Sequence, residues 1–137
     1  MLRKTIAVLL GISVAVALFV LVEKINQNIY PLPEGIDAHD HHAMANYVAN
    51  LPRRALLFDL VGWILGSLIC GYLIGFIDQT NNKIPAYIGG LFLTTSGIVD
   101  LILMPHPMWF IIISMAVFIP FTLLGHTIAP HKSEDQE

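Results

Sequence analysis

The stretch Ala55–Ile77, ALLFDLVGWILGSLICGYLIGFI, decides the fold of this chain. It is long enough to cross a bilayer, because about 20 apolar residues in a helix span a hydrocarbon core of about 30 Å. Four glycines and one serine recur in it at helical spacing, which favours close contact with neighbouring helices. We therefore expect a transmembrane helix around which the rest of the chain packs.

The composition of the whole chain is that of a membrane protein, with 55% apolar and 12% charged residues among 137. Three further runs are long and apolar enough to span, which gives four predicted spans at about 5–22, 55–77, 84–104 and 108–128. The predicted fold is all-α: a four-helix transmembrane bundle in a single integral membrane domain, 1–137. The lipid bilayer is the expected partner, and the small number of basic residues argues against nucleic acid.

The outer loop 23–54 is predicted to carry a short amphipathic helix. Tyr30–Gly35 should be extended, because each proline disfavours the α conformation in the residue before it. Asp37 is the expected N-cap of a helix over Ala38–Leu51. The apolar stripe of this helix should fold back over the bundle at the membrane surface. Its members are Met44, Ala45, Val48 and Leu51, with Tyr47 beside them.

The basic start of the chain and the first apolar run resemble a signal peptide, but the run is longer than usual and lacks a cleavage site. We expect an uncleaved first span, so that both termini lie on one side. The basic residues on that side are Arg3, Lys4, Lys83 and Lys132, and those on the other are Lys24, Arg53 and Arg54. The positive-inside rule then predicts a bacterial inner (plasma) membrane protein with cytoplasmic termini and a periplasmic or extracellular loop 23–54.

Several polar side chains should share one level near the outer surface. Asp59 lies about one turn inside the second span, and Asp100 lies about one turn before the end of the third. Glu23 ends the first span at this surface, and His106 lies in the turn before the fourth. Because a charged acid in lipid costs at least about 2.5 kcal/mol, both aspartates are expected to face the bundle interior.

Two interpretations of these acids remain open at this stage. In the first they form a polar site that binds a cation or transfers a proton, since paired acids raise each other's pKa. In the second they are structural, with Asp59 bonded to Arg54 or to backbone N–H groups and Asp100 bonded to His106 or a neighbouring helix.

A histidine cluster, His39-Asp40-His41-His42, is the candidate metal site. His39 and His42 would share one face of the predicted helix, and zinc or copper accepts such ligands. A metal site usually gathers ligands from more than one segment, and the sequence contains no second cluster. A solvated helix start is the simpler interpretation, and no cofactor is expected other than a divalent metal at this cluster.

Glycines on the second and third spans predict close helix packing. The packing partner can be a helix of the same chain, a second copy in a homo-oligomer, or a larger membrane complex. The glycines that predict this packing are Gly62, Gly66, Gly71, Gly75, Gly89 and Gly90.

Known catalytic signatures are missing from the sequence. It contains no H-E-x-x-H, G-x-S-x-G or C-x-x-C pattern, and no glycine-rich phosphate loop between a strand and a helix. Cys70 is the single cysteine, so an internal disulfide is excluded. These observations favour a protein that is not an enzyme.

A set of short motifs distributed along the chain carries a resemblance. They are the Tyr-Pro-x-Pro-x-Gly stretch Tyr30–Gly35, Leu51-Pro52, the glycine-rich second span, the Pro-His-Pro-x-Trp turn Pro105–Trp109, and Pro120 with Gly125 in the fourth span. In these the chain resembles a group of small, uncharacterised bacterial four-span integral membrane proteins. The resemblance implies the four-span fold and implies no activity and no catalytic residues.

Three functions are therefore carried forward as hypotheses. The first is a non-enzymatic accessory or scaffold subunit, or a self-associating one, that docks through its glycine faces. The second is an ion- or proton-coupled transporter that uses Asp59 and Asp100. The third is a metal-binding membrane enzyme that uses His39, His41 and His42.

Overall fold

The computed structural model describes residues 1–131, and in this part of the chain the fold is an all-helical bundle. Four of its helices are long and apolar enough to cross a membrane. The helices are α1 (Leu2–Ile29), α2 (His41–Asn50), α3 (Arg53–Asp78), α4 (Ile84–Leu103) and α5 (Met108–Ile128). The predicted four-helix transmembrane bundle with a short helix in its first connection is confirmed. Lys132, which was counted for the orientation, lies outside the described residues.

The α3 helix is the centre of the bundle. It shares its most extensive contacts with α5 and α1, whereas α4 packs mainly on α5. One end of the bundle carries α2 and is called the α2 end below. The other carries both ends of the described chain and is called the termini end.

Glycines account for the central position of α3. A methyl group on Gly71 would meet the carbonyl oxygen of Thr122, and one on Gly125 would meet the carbonyl oxygen of Leu68. The backbones of α3 and α5 therefore touch, as small residues allow. The other predicted packing glycines also lie against helices of the same chain: Gly62 and Gly66 face α1, Gly75 and Gly90 face α5, and Gly89 faces α3.

The first helix is longer than the predicted span. The apolar pattern ends near Val22, but α1 continues to Ile29. The added residues include Glu23, Lys24 and Gln27, which are good helix formers, and the first proline comes only at Pro31. Loss of hydrophobicity marks where a span leaves the apolar layer, and it does not end a helix.

The α2 helix begins later than predicted and has a different N-cap. Its N-cap is Asp40, whose carboxylate accepts from the backbone N–H groups of His42 (2.9 Å) and Ala43 (3.2 Å). Asp37 instead accepts from the backbone N–H of His39 at 2.9 Å and forms a separate turn. Each aspartate caps the residues directly after it. Asp40 directly precedes α2 and is therefore its N-cap. The predicted apolar stripe is present, with Met44 and Val48 buried.

Candidate functional site

A cavity of about 730 Å³ lies at the α2 end of the bundle. Its walls come from the second half of α1, the first turns of α3 and the last turns of α4. The remaining wall comes from α2 with its flanking residues, from the extended segment 30–32, and from the connection between α4 and α5. Every helix except α5 thus supplies several residues, and α5 supplies Phe118.

Three carboxyl groups from three different helices line this cavity. They are Glu23 of α1, Asp59 of α3 and Asp100 of α4, and His106 lies in the same wall. The side chain of Asp59 is partly buried, whereas Glu23 and Asp100 are exposed. No lysine or arginine is among the lining residues that the structure describes. The four residues that the depth argument placed at one level are therefore brought together around one acidic space.

The structure does not show the ion pairs that a purely structural role would use. Within residues 1–131 neither Asp59 nor Asp100 forms an ion pair. Arg54 is exposed, and the Nδ1 atom of His106 lies 2.6 Å from the carbonyl oxygen of Met104. His106 is close enough to Asp100 for their charges to interact, and it is the one basic side chain among the lining residues that the structure describes.

Asn26 is a site residue that the sequence analysis missed. It lines the cavity although only 8% of its surface is exposed. Its Nδ2 donates to the carbonyl oxygen of Ala55 at 3.1 Å, while its Oδ1 has no hydrogen-bond partner in the described chain. Asn26 and Glu23 both interact with the Asp59 carboxyl. The sequence signal for Asn26 is its i, i+3 spacing from Glu23, which makes the two residues neighbours on one face of a helix. This spacing has meaning only when α1 is extended past Val22.

The α2 helix forms the roof of the cavity and is held by a few side chains. The hydroxyl of Tyr47 donates to the carbonyl oxygen of Tyr30 at 2.8 Å, and His41 Nε2 lies 3.3 Å from the carbonyl oxygen of Ile102. Burial, and then the nearby Asp59 carboxylate, raise the pKa of Tyr47 above its ordinary value. Its hydroxyl therefore remains a hydrogen-bond donor at neutral pH. The α2 helix is attached to the bundle by these contacts and by the buried Val48. Its backbone does not pack closely on the other helices.

An aromatic cluster forms the floor of the cavity. The ring centroids of Trp63 and Phe118 are 5.3 Å apart, and Phe19 lies 6.5 Å from Trp63 and 6.3 Å from Phe118. Below these rings the core residues Cys70 and Leu93 are fully buried. The cavity is thus closed towards the termini end by packed side chains.

The side chains of the three histidines do not converge on one point. His39 pairs with Asp37 through Nδ1 at 3.2 Å, and its bonds hold the pKa of Asp37 below the ordinary value. His41 contacts the end of α4, and His42 is exposed. Among residues 1–131 no three His, Cys, Asp or Glu side chains are grouped so that they could hold a metal ion. The metal hypothesis stays a prediction without a preformed ligand set.

Comparison of the chain with protein-family models, with curated proteins and with solved structures finds no match in any of the three. The resemblance to small bacterial four-span proteins stays a prediction. The cavity, with its three carboxyl groups and its aromatic floor, is the feature of the described chain that bears most directly on function.

Proposed function

We propose that the protein is an ion- or proton-coupled membrane carrier whose cation enters the cavity at the α2 end. The observation that carries this proposal is the convergence of Glu23, Asp59 and Asp100 on a space lined by no described lysine or arginine. Like charges gathered around one cavity repel one another, so a proton or a cation is favoured there. Intramembrane acids of this kind mark ion pathways in transporters.

The proposal places the α2 end on the outer side of a bacterial inner membrane and the termini in the cytoplasm. It is supported by the basic residues Arg3, Lys4 and Lys83 at the termini end, which cytoplasmic ends favour. The cavity would then receive its cation from outside.

The accessory or scaffold hypothesis remains as the second candidate, but its main support has become weaker. It relied on glycine faces as docking surfaces, and these glycines contact helices of the same chain. A docking partner would have to bind the exposed apolar faces instead, and lipid covers such faces equally well. The acidic cavity supports the carrier, and for this reason we rank the carrier first.

The carrier proposal is tested with purified protein in liposomes that contain the pH dye pyranine. A potassium diffusion potential, negative inside, drives protons inward, and a Na⁺ gradient is imposed in a second series. We expect a change in internal pH above that of empty liposomes in at least one series. Asp59→Asn and Asp100→Asn should each lower the rate about tenfold, because each removes a charge that holds the cation.

Glu34→Gln is the matched control for these variants. It removes the same charge from an exposed position outside the cavity, so its rate should equal that of the unaltered protein. Equal rates in all variants, or no flux in either series, would contradict the carrier. Stoichiometric copurification of a larger membrane protein with Asp59→Asn would instead favour the accessory role.

A further inference from the structure

The cavity combines two kinds of surface that single ions do not need. One part carries the carboxyl groups of Glu23, Asp59 and Asp100. The other part is apolar and aromatic, with Phe19, Trp63 and Phe118 along the floor and apolar residues of α2 in the roof. Such a site matches a ligand that has a cationic group at one end and an apolar body at the other.

The size of the cavity points in the same direction. A volume of about 730 Å³ lies within the range of about 300–1,000 Å³ that is typical of small-molecule sites. A bare metal ion needs several oxygen ligands within about 2.0–2.6 Å of one point. The described residues offer no such cluster, and the acids come from three separate helices.

Asn26 is independent evidence for a ligand. It is more than nine-tenths buried, lines the cavity, and has an Oδ1 atom with no hydrogen-bond partner among residues 1–131. Buried acceptors are almost always paired, and an unpaired one is destabilising. When Glu23 and Asp59 are ionised, their carboxylates accept hydrogen bonds and donate none, so Oδ1 of Asn26 then needs a donor from elsewhere. A ligand that donates an N–H would satisfy Asn26 while its charge faces the acids.

We propose that the cavity binds an amphipathic organic amine, with its ammonium group among Glu23, Asp59, Asp100 and Asn26 and its apolar body against Phe19, Trp63 and Phe118. Aromatic faces attract cations as well as apolar groups, which strengthens both halves of the contact. This inference deepens the proposed carrier and rests on its cation site, because it names the class of ligand that the site takes.

The test measures binding of 1-naphthylmethylamine to the full chain in lipid nanodiscs by isothermal titration calorimetry. This probe carries an ammonium group at neutral pH, and empty nanodiscs give its background of partition into lipid. Two analogues separate the interactions: 1-naphthylmethanol has no charge, and the trimethylammonium analogue has the charge without an N–H. We expect the amine to bind at least about tenfold more tightly than the alcohol, and more tightly than the trimethylammonium compound.

Two variants locate the binding in the cavity. Asp59→Asn combined with Asp100→Asn should remove most of the difference in affinity between the amine and the alcohol, and Glu23 retains the remainder. The weak binding of the alcohol should be unchanged in this variant, which shows that the cavity is still formed. Asn26→Leu should remove the preference for the amine over its trimethylammonium analogue. If the double variant does not fold, Glu23→Gln gives the same comparison with a smaller loss, because Glu23 is exposed.

Three results would overturn the proposal: equal binding of alcohol and amine, amine binding that is unchanged in the aspartate variants, or binding of Mg²⁺ or Zn²⁺ without any binding of the amine. The experiments distinguish a failure of the carrier proposal from a failure of the proposed ligand class. Aspartate-dependent amine binding without liposome flux would overturn the carrier alone. Aspartate-dependent proton flux without amine binding would overturn the ligand class alone.

Discussion

At the scale of single residues, the contact between α3 and α5 depends on positions where no side chain fits. Gly71 faces the backbone of Thr122, and Gly125 faces the backbone of Leu68. A backbone carbonyl cannot rotate away as a long side chain can, because it belongs to a hydrogen-bonded helix. These two glycines therefore set the distance between the two helices, and with it the closed half of the bundle.

We predict that Gly71→Ala lowers the free energy of unfolding by about 1–3 kcal/mol, the usual cost of overpacking. The measurement is a titration of helical circular dichroism with a denaturing detergent. Gly90→Ala is the matched control, because both changes gain the same helix propensity. At Gly90 the closest atom to the new methyl group is the Cα of Ile119 at 3.2 Å, so a smaller loss is expected. Equal losses in the two variants would show that backbone contact is not the cause.

The aromatic floor of the cavity shows why part of the site could not be predicted at this scale. Depth in the membrane follows from sequence, because each helical residue rises about 1.5 Å, and this placed Asp59 and Asp100 at one level. The rotation of a helix about its own axis depends on packing against its neighbours. The aromatic floor of Phe19, Trp63 and Phe118 needs the rotation of three helices at once, so it appears only in the structure.

At the scale of elements, α2 is the helix that depends most on its ends. It has 10 residues, and isolated helices of this length are marginal in water. Its stability therefore rests on the buried residues Met44 and Val48 and on the Asp40 cap. The sequence predicted the existence and apolar face of this helix but selected the wrong capping aspartate, since Asp37 and Asp40 are equally suited by type.

We predict that Asp40→Ala weakens α2 by about 1 kcal/mol, which is about a fivefold increase in local opening. Hydrogen exchange of the α2 amides, followed by mass spectrometry, measures this change. Asp37→Ala is the control, because Asp37 caps the turn before the helix and accepts no bond from α2. Faster exchange in Asp37→Ala than in Asp40→Ala would contradict the assigned cap.

At the scale of the whole molecule, the lengths of the spans were predictable because the thickness of the bilayer fixes them. The ends of the helices were not, as α1 shows by continuing through polar residues to Ile29. The arrangement leaves an acidic cavity at the α2 end of the bundle, and the aromatic floor closes this cavity towards the termini end. This asymmetry can be measured with thiol reagents, because Cys70 is fully buried and provides a silent background.

We predict that Ser96→Cys, in the cavity wall, reacts with impermeant methanethiosulfonates added outside intact cells. The cationic ethyltrimethylammonium reagent should react at least about threefold faster than the anionic sulfonatoethyl reagent, because the surrounding carboxylates attract it. The unaltered protein, with Cys70 alone, should not react. Labelling only in inverted vesicles would reverse the proposed orientation, and equal rates for both reagents would contradict a negatively charged cavity.

The side-chain hydrogen bonds that join distant parts of the described chain share one property. Each ends on a backbone carbonyl: Arg3 on Ile77, Asn26 on Ala55, His41 on Ile102 and Tyr47 on Tyr30. Only the donor's identity matters in such a bond, because every residue type presents a carbonyl. The hydrogen bond therefore places a demand on the side chain of the donor and none on the side chain of the acceptor. We therefore expect weak correlation between substitutions at the donor position and at the acceptor position of each of these four hydrogen bonds, although the bonds connect segments that are distant in the sequence.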